Sequence, residues 1–174
     1  MTIISQDQRD AVEKLRQRLV SSTETLTTNK VEVKLIHNQS SQVLVRSFTL
    51  IQDEPASIAG GATGPTPTDY LMASVGMCEN VIFVRNACLA GLSVDSLETS
   101  VSGVWDMKGL FDIDGVQPFF KTITVETRVT SKDPVAKLAE VARLTHRRCP
   151  VHATLSRATE MKFTLLVNGQ NIPL

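Results

Sequence analysis

The sequence predicts an α+β domain, on three observations. Two central stretches, Leu97 to Trp105 and Phe119 to Val129, alternate apolar and polar residues with period two, the signature of half-buried strands. Ahead of them runs one long apolar segment with helix punctuation at both ends, Thr66-Pro67-Thr68-Asp69 at its start and Gly91 at its finish. Strands and helices are therefore segregated along the chain and do not recur as βαβ units. With 174 residues, 42% hydrophobic and 21% charged, the chain can bury one sizeable core, so one domain is expected.

Each element follows from local chemistry. Ser5 with Gln8 forms a capping-box pattern, and Val12, Leu15 and Leu19 recur at helical spacing among charged residues, giving a short amphipathic helix. The polar run Ser21 to Lys30 has almost nothing to bury, so residues 1–30 read as helix plus connector and residues 31–174 as the domain proper. Val31, Val33 and Leu35, a polar turn at Asn38 to Ser41 and the run Val43 to Ile51 predict a hairpin, with Arg46 on a strand between Leu44 and Phe48. Gly60, Gly61 and Gly64 let the chain turn sharply onto Pro65 and Pro67. Thr66 then suits the N-cap, Pro67 the first helical position and Asp69 the first turn of a helix about 36 Å long. Its apolar residues go nearly all the way round, which predicts cover on most sides.

The loop Met107 to Pro118 carries Leu110, Phe111 and Ile113, an apolar load that points to cover for a site or a partner. Asp133 and Pro134 should cap a second helix with Val135, Leu138, Val141 and Ala142 on one face and Arg143, His146, Arg147 and Arg148 in its last turns. Pro150 should end it near Cys149. Met161, Phe163, Leu165 and Val167 predict a closing strand.

Lysine plus arginine and aspartate plus glutamate are equal at 18 each, which removes any bulk attraction to nucleic acid or anionic membrane. The amino terminus carries no export-signal pattern, and the most apolar segment is interrupted by Glu79, Asn80, Arg85 and Asn86. A soluble, cytoplasmic protein is expected. Three cysteines cannot make a disulfide framework in a reducing compartment, so each is a buried hydrophobe or a reactive thiol.

Reactivity requires a thiolate, and a thiolate needs a cation, a helix N-terminus or a donor. Cys78 has none of these nearby in sequence, and from spacing alone a plain core cysteine accounts for it better than a working thiol. Cys149 is flanked by His146, Arg147, Arg148 and His152, although a helix C-terminus raises a thiol's pKa and helix capping alone explains basic residues there. Cys88, among Ala87, Leu89 and Ala90, reads as structural. Cys149 and His152 stand at Cys-x-x-His spacing with His146, Cys78 and Glu79 as further donors, but the second paired motif of a zinc site is missing, and no metal is expected. The glycine-rich loop lacks the Lys-Ser/Thr of a phosphate loop.

In combination, the Gly-Gly and Gly-Pro-Thr-Pro entry (Gly60 to Pro67), the long helix carrying Cys78, Gly91-Leu92 at its end and Cys149-Pro150-Val151-His152 resemble the OsmC/Ohr family of thiol peroxidases. The resemblance covers roughly Val31 to Val167 and leaves out the amino-terminal helix. It implies antiparallel sheets wrapped around a long buried central helix in an intertwined homodimer, with the thiol site at the subunit interface. It also implies Cys78 as the peroxidatic and Cys149 as the resolving cysteine, a peroxide substrate, an external dithiol reductant and no cofactor. Better-characterised members carry a glutamate ten residues before the reactive cysteine that positions an activating arginine. Here Thr68 stands at that position, with Asp69 beside it and Glu79 next to the thiol, and Arg46 is the arginine whose neighbours give it a site-facing setting. The alternative is a binding protein that keeps the fold, leaves Cys78 inert and takes a small hydrophobic ligand in the cleft around it.

Overall fold

The computed structural model describes residues 2–172. The amino-terminal helix α1 (Gln6–Ser21) is capped by Ser5, whose hydroxyl accepts from the Gln8 N–H. Three antiparallel strands follow, β1 (Glu32–His37), β2 (Ser40–Val45) and β3 (Phe48–Gln52), forming a sheet in sequence order. The predicted β-rich run is thus two strands, broken by a two-residue turn at Arg46 and Ser47, where Arg46 takes a φ of +53°. Arg46 consequently lies on a hairpin tip and not inward on a strand. It is exposed, and its guanidinium rests 5.8 Å from the ring centroid of Phe48.

The central helix α2 (Pro67–Leu89) begins on a full capping box. Thr66 Oγ1 accepts from the Asp69 N–H, and the Asp69 carboxylate accepts from the Thr66 N–H. It ends before Gly91, whose φ of +68° is the left-handed value glycine adopts without strain. The glycines leading into it serve close approach. A Cβ on Gly60 would meet the Glu54 carbonyl oxygen at 1.8 Å, and one on Gly64 the Ile51 carbonyl oxygen at 2.3 Å. Asp53 fixes the same loop: its carboxylate accepts from the N–H groups of Glu54, Gly61 and Thr63 and from the Thr63 hydroxyl.

Strands β4 (Ser96–Val104) and β5 (Thr122–Thr130) pair antiparallel in unbroken register, from Ser96 opposite Thr130 to Val104 opposite Thr122. Helices α3 (Val135–Arg148) and α4 (Pro150–Leu155) follow, separated only by Cys149. Asp133 does not cap α3. Its carboxylate accepts from the Ser93 N–H instead, tying the strand entry to the loop, and Pro134 stands at the N-cap of α3, which has no side-chain cap.

The predicted single closing strand is a small hairpin, β6 (Leu165–Val167) with β7 (Gln170–Ile172), and Met161 and Phe163 precede it in irregular chain. Asn168 and Gly169, with φ of +51° and +82°, make the turn. Asn-Gly is a strong hairpin signal, because both residues tolerate positive φ.

The core lies where α1, α2, α3 and the β4–β5 hairpin meet. Ile4, Val12, Phe83, Ala87, Cys88, Leu92, Val94 and Val141 form it, with Leu97, Val129 and Leu138 packed against it. Cys88 is therefore a core hydrophobe. One flank of α2 is buried, through Val75, Glu79, Phe83 and Asn86, while Met77 and Val81 are exposed. Within one chain, the all-round cover predicted for this helix is only partial. No helix among the described residues is long and apolar enough to cross a membrane.

Candidate functional site

The buried flank of α2 brings Cys78 and Glu79 against the junction of α3 and α4. Pro150 has no N–H to continue α3, so the chain breaks at Cys149, which closes α3 and opens α4 at once. Its thiol caps the new helix by accepting from the His152 N–H at 3.4 Å. His146, in the last turn of α3, and His152, in the first turns of α4, thereby stand on either side of Cys149 with their rings 5.5 Å apart.

All three cysteines are free thiols; Cys149 is fully buried and Cys78 half-buried. Burial pushes Cys149 from the ordinary thiol value of 9.0 up to about 11. The His152 N–H pulls it down, and the neighbouring Cys78 thiol and Glu79 carboxylate push it further up. The two cysteines that the sequence singled out are thus close enough to act on one another. Cys88 is also pushed up by burial, with Arg9 acting in the opposite sense.

Glu79 is the group that sequence reasoning underrated. It is 2% exposed, and its carboxylate meets two imidazoles: Oε2 lies 3.2 Å from His146 Nδ1 and Oε1 lies 3.2 Å from His152 Nδ1. A buried carboxylate calls for partners, and the groups within reach of this one are two imidazole nitrogens and not the expected arginine. The available signal was an acidic residue on an otherwise apolar helix, with two histidines bracketing Cys149. Behind this cluster, Asn86 donates to Thr145 Oγ1 at 3.2 Å and accepts from Arg148 at 2.8 Å, which locks α3 in register on α2. Arg46 is on the β2–β3 turn and Asp69 is engaged with Thr66, so neither joins the cluster.

Residues 60–164, more than half of the chain, match the family model described as OsmC-like protein. The chain belongs to the OsmC-like family. Solved structures agree on the fold. An OsmC-like protein from Mycoplasma pneumoniae superposes with a TM-score of 0.66 at 18% identity, over 75% of this chain and 88% of that one. An organic hydroperoxide resistance protein from Legionella pneumophila gives 0.59 at 12% identity, over 76% and 91%. One from Elizabethkingia anophelis, crystallised with thiocyanate, gives 0.58 at 12% identity with the same coverage. No curated protein matches the sequence.

Several clefts flank α2 in this OsmC-like chain, one of about 420 Å³ between Asn80, Val81 and Val84 and the amino-terminal residues Ile3, Ser5 and Gln8, and two nearer the thiols. The larger, about 590 Å³, lies between Met72, Gly76 and Met77 on the helix and Val101, Trp105 and Phe120 across from them. The smaller, about 310 Å³, is lined by Val75, Ile123, Val125 and Leu155 and reaches His152. Cys78 lines neither of them, so the expected ligand cleft around that thiol is displaced to its flanks.

Proposed function

We propose that the protein is a cysteine-based peroxidase acting on organic or hydrogen peroxides. The observation that carries this reading is the meeting of Cys78 and Cys149, distant in sequence, beside a buried carboxylate and two imidazoles. The Cys78 thiolate attacks one peroxide oxygen; the O–O bond breaks, the alcohol or water leaves with a proton, and Cys78 becomes a sulfenic acid. Cys149 then attacks the sulfenic sulfur, water departs, and a disulfide joins the two. An external dithiol restores both thiols by two exchange steps. The pushed-up Cys149 remains a neutral thiol at neutral pH, which leaves Cys78 as the first nucleophile. No step is assigned to Arg46. Glu79 and the two imidazoles stand beside the sulfurs and set the charge around them.

The test is titration of reduced protein with an organic hydroperoxide, followed by thiol counting and intact mass. Loss of two thiols per chain, abolished by Cys78→Ser, supports the peroxidase. In Cys149→Ser, a sulfenic acid should persist on Cys78. An unchanged thiol count at excess peroxide refutes it and favours the second reading, a ligand-binding protein using the 590 Å³ cleft lined by Met72, Met77, Trp105 and Phe120.

The homodimer belongs to the same proposal. Met77 and Val81 project one turn apart from α2, and Val33, Leu35, Leu44, Phe48 and Leu50 are exposed on the β1–β3 sheet, more apolar surface than a lone chain keeps in water. Light scattering should give twice the chain mass, and Met77→Asp should shift it toward the single chain. A monomeric wild type refutes the dimer.

A further inference from the structure

We propose that Glu79, His146 and His152 form a binding site for a divalent transition-metal ion of the zinc class, beside the thiol pair. One carboxylate oxygen and one ring nitrogen from each histidine lie within 4.8 Å of one another. Each nitrogen lies 3.2 Å from a different oxygen of the carboxylate, His146 Nδ1 from Oε2 and His152 Nδ1 from Oε1. Ligands held about 2.1 Å from a common ion stand about 3.0–3.4 Å apart, in octahedral or tetrahedral geometry, so each nitrogen–oxygen pair is spaced for coordination and the three donors need only a small rotation of the side chains to converge on one ion.

A second observation points to a cation. Glu79 Oε1 is buried and has no hydrogen-bond donor, although His152 Nδ1 is only 3.2 Å away. The nitrogen faces the oxygen without an N–H aligned on it, an arrangement that suits two lone pairs sharing an ion better than a donor meeting an acceptor. A cavity of about 30 Å³ lined by Glu79, Phe83, Thr127, Ala142, Thr145 and His146 adjoins two of the three ligands, Glu79 and His146, and has room for one ion or water. Two imidazoles and one carboxylate select zinc-class ions over calcium or magnesium, which take oxygen ligands. Three protein ligands leave a coordination position open, as in sites that take a water or substrate. No sulfur belongs to the ligand group, and Cys149 Sγ is already engaged by the His152 N–H.

The experiment is calorimetric titration of the chelator-treated Cys78→Ser/Cys149→Ser double variant with Zn2+ at pH 7.5, against a competing chelator. Removing both site thiols keeps sulfur binding out of the measurement. One Zn2+ per chain is expected, weakened at least about 10-fold by His146→Gln and by Glu79→Gln, since losing a ligand costs at least as much as losing a group behind one. His146 has a half-exposed side chain, so His146→Gln should fold, with circular dichroism and a thermal melt as the check. Absence of stoichiometric binding, or equal affinity in a folded His146→Gln, overturns the site. The titration uses neither peroxide nor thiols, so its outcome is independent of the peroxidase test.

Discussion

Raising the pH should separate Cys149 from an ordinary cysteine. Its thiol is buried at the α3–α4 junction and pushed from 9.0 up to about 11, mainly by loss of solvent. At pH 7.5 this lowers its thiolate fraction about 100-fold relative to the unfolded chain. Since maleimide reagents attack the thiolate, the assay follows modification of the Cys149 peptide by mass spectrometry between pH 6 and pH 11, with chelator present, in native and urea-unfolded protein. The unfolded rate should level off above about pH 9. The native rate should keep rising roughly tenfold per pH unit until about pH 11. Enclosure of the sulfur slows reaction by the same factor at every pH, so the shape of the profile reports the proton and not access. A native profile that levels off near pH 9 would refute the argument. The same shift sets a sign for stability: the folded state holds this proton more tightly, so its contribution is full below 9.0 and is lost as the pH climbs toward 11.

Other perturbations read other parts of the structure. Phe83→Ala, at a core position 3% exposed, should cost about 3–5 kcal/mol in denaturant titration, and a loss under about 1 kcal/mol would contradict its place in the packing. The Asp53 carboxyl is held below its ordinary value, first by the Thr63 hydroxyl and then by backbone N–H groups of Glu54, Thr63 and Gly61. A depressed folded value means its contribution is full above about pH 3.9 and is lost as pH falls; Asp53→Asn should lower the urea midpoint at pH 7, with the gap from wild type narrowing by pH 3. Gly60→Ala places a Cβ at 1.8 Å from the Glu54 carbonyl oxygen, so the loop must shift, and protease cleavage between Asp53 and Thr66 should rise sharply over wild type.

What could be read from the sequence depended on the range of the interaction. The start of α2 was legible because Thr66, Pro67 and Asp69 act within one turn, and the β4–β5 pair because its alternation is continuous. The split of the β-rich run at Arg46-Ser47 was not, since that turn carries neither glycine nor proline. The final hairpin was legible but missed: Asn168-Gly169 announced it, while the alternation from Met161 onward argued for one strand. Asp133 has the chemistry of a cap and was drawn instead to the Ser93 N–H, a contact between loops far apart in sequence. Cys78 and Cys149 could be named from their surroundings, yet their mutual approach depends on the packing of α2 against α3 and α4. The partnership of Glu79 with His146 and His152 depends on the same packing, and no local pattern encodes it.

Helix α1 lies outside the residues that match the family, and still Ile4 and Val12 sit within the core beside Phe83 and Ala87. Arg9 clasps the Leu92 carbonyl at 2.6 Å, and the Ile3 N–H holds that of Val94 at 2.7 Å. Trimming the chain to its shared portion for expression would therefore peel a lid from the greasy centre of the molecule, and the shortened product should clump where the longer one stays dispersed.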